Sequence, residues 1–276
     1  MPTRVCMRKW RPLILSAGLF LIAPPLAQSQ SAEEIIAERG CPKCKLSQAD
    51  LRGLELEAAN FAGARMIEAD LKNASLPQAN FAKASLHRAE LEKANLAGAN
   101  FARAIMREVD LEKTDLTGAN LSQTDMRDAD LENATIAEAN LAEADLRHTL
   151  LRRAAGTGAN FSYTLMDQAD LERAVLREAN FTRARLTSAD LDRADLSGSS
   201  FIDADLSKAH LSSANLSGAI FDGADLSGAL LRRTRLSGAD LSDADGLEQE
   251  QVDMACGDQD TRLPNRLTIK TCGADD

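Results

Sequence analysis

Cys41 and Cys44 stand in the run Cys-Pro-Lys-Cys, the spacing of a redox pair or of half a zinc site. A redox pair of this kind needs its first cysteine at a helix N-terminus in a βαβ setting, where the helix lowers the thiol pKa. Here the motif follows a short helical pattern and leads into extended units, so the redox reading is set aside. Zinc needs a second ligand pair nearby. The three histidines, His87, His148 and His210, are scattered singly along the chain. The many serines recur in the variable slots of units such as LSGAD and converge on no base. No nucleophile, acid–base pair or ligand cluster is legible, which points to a non-enzymatic chain with no metal and no cofactor.

The elements that position these residues begin after a leader. Arg4, Arg8, Lys9 and Arg11 form a basic region, Leu13 to Ala23 an apolar stretch, and small residues follow near Ala27 to Ser31, as in a secretory signal. The apolar stretch ends at Pro24 and Pro25, short of the ~20 residues that span a bilayer, so residues 1–29 read as a cleaved signal rather than a stable membrane anchor. No cysteine follows it closely, which argues against a lipoprotein. Removing the four basic residues moves the formal charge from −10 to −14. Such acidity disfavours nucleic acid and anionic membranes as partners and leaves a protein partner as the expectation.

From Leu46 to Leu241 a large apolar residue occupies every fifth position, forty units in all, with Gly156 the single exception. Two residues before it stands a small residue, usually Ala. Five residues advance a helix face by about 140°, and an odd period alternates the faces of a flat strand, so neither element fits. A chain running in, out, in, out, out and then turning a corner does. Phe recurs at 61, 81, 101, 161, 181, 201 and 221, always in one register of twenty. The register starting at Leu51 holds Leu throughout, so four corners close one coil. Ten such coils at a strand spacing of about 4.8 Å make a rod roughly 45 Å long, and each buries its apolar residues against its neighbours. With 4% aromatic residues, the core is narrow and built of Ala and Leu.

Units of the form A(D/N)LXX, as in ANFAKASL and ADLEKANL, resemble the pentapeptide-repeat family over about 200 of 276 residues. That resemblance implies a right-handed quadrilateral β-helix, an all-β solenoid. Leucine-rich repeats share the twenty-residue period but not the five-residue subperiod. The organisation expected is a signal over 1–29, an N-terminal cap and CxxC over 30–45, the β-helix over 46–245 and a C-terminal cap over 246–276. Short helices are expected in both caps: SAEEIIAER, with Ser31 as N-cap, Glu34 three residues on, Ile35 and Ile36 for the core and Gly40 as the stop; and LEQEQVDMA at 247–255. The segment TRLPNRLTIKTC reads as an extended return.

Four cysteines remain in the processed chain. The two ends of such a rod lie far beyond the ~7 Å Cα limit for bridging, so Cys41 is expected to pair with Cys44 and Cys256 with Cys272, in an oxidising periplasmic or extracellular compartment. GCPKCKLSQADL also looks like the Cys-bracketed entry to the first coil of some exported members of the family.

Reading every twentieth residue gives the outer columns. Asn60, Asn80, Asn100, Asn120, Asn140, Asn160 and Asn180 form one, expected to be a structural amide ladder. Asp50, Asp70, Glu90, Asp110, Asp130, Leu150, Asp170 and Asp190 form another, expected to be offset by Lys93, Lys113, Arg153, Arg173 and Arg193 rather than to bind cations. Around the missing side chain of Gly156, the residues Ile105, His148, Leu150, Arg152, Arg153, Leu165 and Val175 depart from the pattern and are candidates for a partner patch; there the coil is expected either to bulge or to be a weak link. Ile220 and Leu230 suit a homodimer contact at the C-terminal end. The function expected is an exported scaffold or protein-interaction module. The alternative, which the resemblance implies, is an acidic DNA-mimicking rod that binds a gyrase-type topoisomerase.

Overall fold

In the computed structural model, Ile35 and residues 37–264 and 266–273 are described. The expected signal, the Ser31 N-cap with Glu34, and Ile36 lie outside them. The main body is a stack in which every fifth residue bridges, in parallel, the one twenty positions on. Gly40 pairs with Asn60, Lys45 with Arg65, Asp50 with Asp70 and Glu55 with Ser75, and the series runs without a slip to Asp225 with Asp245. Four bridge ladders make four faces, named here by early members: the Asn60, Arg65, Asp50 and Glu55 faces, in that order around the coil.

Almost every corner is a turn closed by the N–H of the inward residue donating to the carbonyl of the preceding large one, as in Ala64 to Phe61 at 2.9 Å. The third residue of every such turn from Lys43 to Gly238 has positive φ. That conformation costs a side-chain-bearing residue about 1–2 kcal/mol, and the regular coil imposes it all the same because the N–H of the same residue donates to the next coil. Lys113 N–H, for example, donates to Glu132 O at 3.0 Å. Gly118 takes the conformation at φ 64°, with nothing within 4 Å of an added Cβ, so Gly118→Ala tests backbone strain alone. Urea unfolding should show a loss of about 1 kcal/mol; an unchanged midpoint would mean that the turns are not strained.

The core positions are closed to solvent. Phe61, Phe81 and Phe101 stack with centroids 5.2 and 4.8 Å apart, and Phe161 to Phe221 stack at 4.8 to 5.0 Å. Where Thr or Ser replaces the small inward Ala, its hydroxyl donates to a main-chain carbonyl: Thr114 to Leu91 at 2.8 Å, Thr164 to Phe161 at 2.7 Å, Ser199 to Leu176 at 2.8 Å. Burial of these hydroxyls is thereby offset.

Gly156 neither bulges the coil nor leaves a void. Its N–H donates to Val175 O at 2.8 Å, Ala155 stays in its ladder, and an added Cβ would lie 2.7 Å from Leu176 Cδ2 and 2.8 Å from Ile136 Cγ1. The side chains above and below have moved into the space.

The C-terminal end of the stack is met by one short helix, α1, Gln249–Asp253. The buried Gln251 Nε2 donates to the carbonyls of Leu226 and Ala229 at 3.0 and 2.9 Å, and its Oε1 accepts the Glu248 N–H at 2.8 Å. In the regular stack the Ala209 carbonyl receives the N–H of Leu230; at Ala229 the Gln251 side chain stands in for the coil that does not follow. Beyond α1 the chain adds two more bridges, Arg235 with Cys256 and Asp240 with Arg262, and returns so that Gly257 pairs with Thr271. At the other end Ile35 is buried and its carbonyl accepts the Gly40 N–H at 2.8 Å.

Candidate functional site

With the inward positions filled by Ala, Leu, Met and Phe, chemistry is confined to the outer columns, and these differ from face to face. On the Asn60 face most of the Asn side chains do two things. The Oδ1 accepts the N–H two residues on, as Asn100 accepts from Ala102 at 3.1 Å, and the Nδ2 donates down the ladder, as Asn120 to Asn100 at 3.2 Å and Asn160 to Asn140 at 3.0 Å. The ladder is structural, as the residue types alone imply.

The Arg65 face carries an alternating ion-pair series. Arg107 meets Asp125 at 2.6 Å, Arg127 lies 2.9 Å from Asp125 and 3.4 Å from Asp145, and Arg147 lies 2.6 Å from Asp145. Burial works to raise the Asp125 carboxyl, but hydrogen bonds from Arg127 and Arg107 overcome it and hold it below the usual range; Asp145 is held low in the same way by Arg147. These pairs contribute stability above the ordinary carboxylate pKa that is lost as pH falls through their depressed values.

The Asp50 face is neutralised differently from the expectation. Lys93, Lys113 and Arg173 pair with Glu92, Glu112 and Glu172, in the next column, and Arg153 and Arg193 with Glu132 and Glu172 one coil back. Three of the ladder carboxylates meet the base two positions after the ladder residue of the preceding coil: Arg52 to Asp70 at 3.4 Å, Lys72 to Glu90 at 2.7 Å, Arg152 to Asp170 at 3.7 Å. The reason is the turn. The residue three positions on already lies around the corner, whereas the one two positions on stands beside the ladder. Asp50, hydrogen-bonded by the Arg52 side chain and backbone, is pushed down to about 2.

Asp110 has no such base. Burial first, and then repulsion from Asp130, Glu92 and Glu112, raise its pKa, although the Glu112 N–H bond works the other way. The folded chain therefore holds the proton more tightly than the unfolded one. Asp110 destabilises the fold above its raised pKa, and the penalty fades as pH falls through that pKa and is gone below the unfolded value. Asp110→Asn keeps the acceptor for Glu112 N–H and should stabilise the protein at neutral pH by up to about 1 kcal/mol, the scale of one like-charge contact at ladder spacing. The gain should vanish at acidic pH; thermal melts across that range check it, and a gain independent of pH would refute the charge argument.

The residues picked out around Gly156 do not converge. Ile105 and Leu165 share the Arg65 face but are three bridges apart, Leu150 lies in the Asp50 ladder and Val175 in the Glu55 ladder. His148 is exposed at the corner between the Arg65 and Asp50 faces. Arg152 and Arg153 are engaged, with Glu172 at 3.2 Å and Glu132 at 3.3 Å. Ile220 and Leu230 fall on the Asn60 and Asp50 faces, which are opposite, so a single flat contact cannot use both. Among the described residues no group of three or more His, Cys, Asp or Glu could hold a metal, and no helix is long and apolar enough to cross a membrane. Cys41 and Cys44 have Cα atoms 5.6 Å apart, and Cys256 and Cys272 4.7 Å.

Two family models match the chain. One, described as a pentapeptide repeat region, covers residues 84–161, and the other, pentapeptide repeats (8 copies), covers 44–82, 157–193, 179–218, 189–228 and 209–245. None of the curated protein sequences compared with the chain matches it. Among solved structures the chain is similar to HetL, a pentapeptide-repeat protein involved in heterocyst differentiation regulation from the cyanobacterium Nostoc sp. strain PCC 7120. The identity is 36%, over 71% of this chain and 89% of HetL, with a TM-score of 0.47. QnrB1, a plasmid-mediated fluoroquinolone resistance protein, is 18% identical over 60% of this chain and 91% of its own, with a TM-score of 0.44. Rfr23 from the cyanobacterium Cyanothece 51142 is 27% identical over 50% and 90%, with a TM-score of 0.31. By the matched models, which together span most of residues 44–245, the chain belongs to the pentapeptide-repeat family, whose proteins fold as right-handed quadrilateral β-helices.

Proposed function

We propose that this protein is an exported, non-enzymatic scaffold that binds a protein partner through its outer faces. The observation that carries this reading is the division of labour along the stack: the inward columns are filled and buried, while the outward ones present a regular, largely self-paired lattice of charge. Such a surface offers many rim-type contacts on a rigid rod. Pentapeptide-repeat proteins are in general structural or interaction proteins, and this supports the same reading.

A DNA-mimicking rod needs rows of unpaired carboxylates to imitate phosphates. Asp125, Asp145, Asp167 and Asp195 each meet an arginine, which favours the scaffold. Export rests on the leader pattern and on the two cysteine pairs at bridging distance, taken as Cys41–Cys44 and Cys256–Cys272.

Two measurements test the proposal. The intact mass of the protein from its native cells should match a start near Gln28 and rise by four protons on reduction; a full-length, reduced chain would overturn export. Photo-crosslinkers placed singly at Lys83, Gln123, Arg173 and Lys208 should trap one protein from a subset of positions, and no adduct from any position would overturn the scaffold.

A further inference from the structure

The Asp50 face changes character towards its C-terminal end. At the corner that follows this ladder, successive coils place Glu172 and Arg173, then Asp192 and Arg193, then Ser212 and Ser213, then Arg232 and Arg233. These pairs stack directly: Arg193 N–H donates to Ser212 O at 2.9 Å and Ser213 N–H to Arg232 O at 2.8 Å. The ladder beside them passes from Asp190 to His210 and Leu230. Two short serines between layers of long side chains leave a cleft of about 230 Å³ lined by Asp192, Arg193, Ser212, Ser213, Arg232 and Arg233.

The cleft brings two arginines without a carboxylate partner side by side in one turn. Arg152, Arg153, Arg185, Arg193 and Arg262 each lie within 3.3 Å of a carboxylate. Neither Arg232 nor Arg233 pairs with a carboxylate among the described residues, although the chain carries a net charge of −10. The one carboxylate in the lining, Asp192, accepts the Ser212 N–H at 2.7 Å. Two adjacent guanidinium groups without a counter-charge repel each other, and an anion between them removes that cost. Guanidinium forks match the oxygen edges of tetrahedral oxyanions in bidentate fashion, and the two serine hydroxyls supply further donors of the right length.

We propose that this cleft binds a tetrahedral oxyanion, the phosphate or sulfate group of a ligand, between Arg232, Arg233 and the two serines, with Arg193 at the far edge. Two unpaired charges select a doubly charged group over a single carboxylate. The site does not depend on the scaffold reading, because it needs only the side chains of three neighbouring coils.

The test uses the full chain labelled with ¹⁵N, following arginine Nε–Hε and backbone amide resonances during titration with sodium sulfate and, separately, sodium phosphate. Ionic strength is held constant with sodium chloride. Saturable shifts are expected at Arg193, Arg232, Arg233, Ser212 and Ser213, and affinity should fall at least about tenfold in Arg232→Gln/Arg233→Gln. Gln already occupies the turn position of Arg233 at Gln78 and Gln123, each with φ 58°, and Arg232 does not take the positive φ of that position, so the double variant keeps the backbone. Tighter binding of phosphate at neutral pH that weakens on mild acidification identifies a phosphate ester, because phosphate there loses one of its charges. Binding that favours sulfate and holds at both pH values identifies a sulfate ester. Linear shifts spread over exposed arginines such as Arg65 and Arg103, or saturable shifts that survive the double substitution, would overturn the site.

Discussion

Leu176→Ala should lower the free energy of unfolding by about 5 kcal/mol, the upper end of what a buried Leu to Ala change costs, whereas Leu196→Ala should cost about 3 kcal/mol. Both side chains are fully buried in the same column. The difference lies in the neighbours. Leu196 sits between Leu176 and Leu216, which close in on a cavity from both sides. Leu176 already reaches into the space left by Gly156, since its Cδ2 would lie 2.7 Å from a Cβ there. Removing it opens two adjacent layers at once, a gap that Ile136 and Leu196 must close from either end. Urea unfolding followed by circular dichroism, with both variants side by side, checks the ratio. Equal costs would mean that the Gly156 layer is not filled by its neighbours.

Gln251→Ala should destabilise by about 2–4 kcal/mol, and locally. The change strands the Ala229 carbonyl at the end of the stack and frees the Glu248 N–H, while the Leu226 carbonyl keeps the Ala229 N–H, and each buried polar group left without a partner costs about 1–3 kcal/mol. In a stacked array each coil feels mainly its neighbours, so the loss should appear as faster hydrogen exchange near the C-terminal end. Leu241 N–H, which donates to Arg262 O at 2.8 Å, should exchange sooner, while Leu96 N–H, 2.7 Å from Asp115 O, should not change. Uniform acceleration along the rod would show a single cooperative unit instead. Gln251→Glu is a useful companion: it keeps the shape and the acceptor but loses the donor to both carbonyls, so it should fail in the same way.

The two substitutions probe different kinds of information. The role of Leu176 follows partly from the sequence, because the column and the gap at 156 are both visible in the period of five. What the period could not say is how the gap closes. Bulging, a void and neighbours leaning in are all compatible with one missing side chain, and the choice depends on whether Ile136 and Leu176 have rotamers that reach. Gln251 is a case the sequence hides more fully. A single Gln in a short helical pattern looks like a solvated residue, and its value comes from two carbonyls more than twenty residues earlier, of which Ala229 has lost the donor of its next coil.

The surface divides in the same way. The ladders were legible because a strict twenty-residue register places equivalent residues above one another, so the Asn and Asp columns could be read by counting. The partners of the charges could not. The turn sends the residue three positions after each ladder acid around the corner, so Lys93 meets Glu92 and not the ladder, while Lys72 reaches Glu90. The dispersed residues around Gly156 and the opposed positions of Ile220 and Leu230 have the same origin: closeness in sequence within a coil means separation by a quarter or a half turn in space. The oxyanion cleft lies where the acidic column ends, beyond Asp190. Carried on through His210 and Leu230, with the adjoining columns ending Asp192, Ser212, Arg232 and Arg193, Ser213, Arg233, the same register shows the reversal of charge.

By itself the sequence determined the repeat, the four-sided coil, the buried columns and the cysteine pairs that each end can hold, since these follow from periodicity and from the length of the rod. Only the tertiary structure decided how the Gly156 layer packs, what closes the C-terminal end, which acid each base meets and which arginines meet none. Those outcomes depend on side-chain reach across coils, which a period in sequence does not contain.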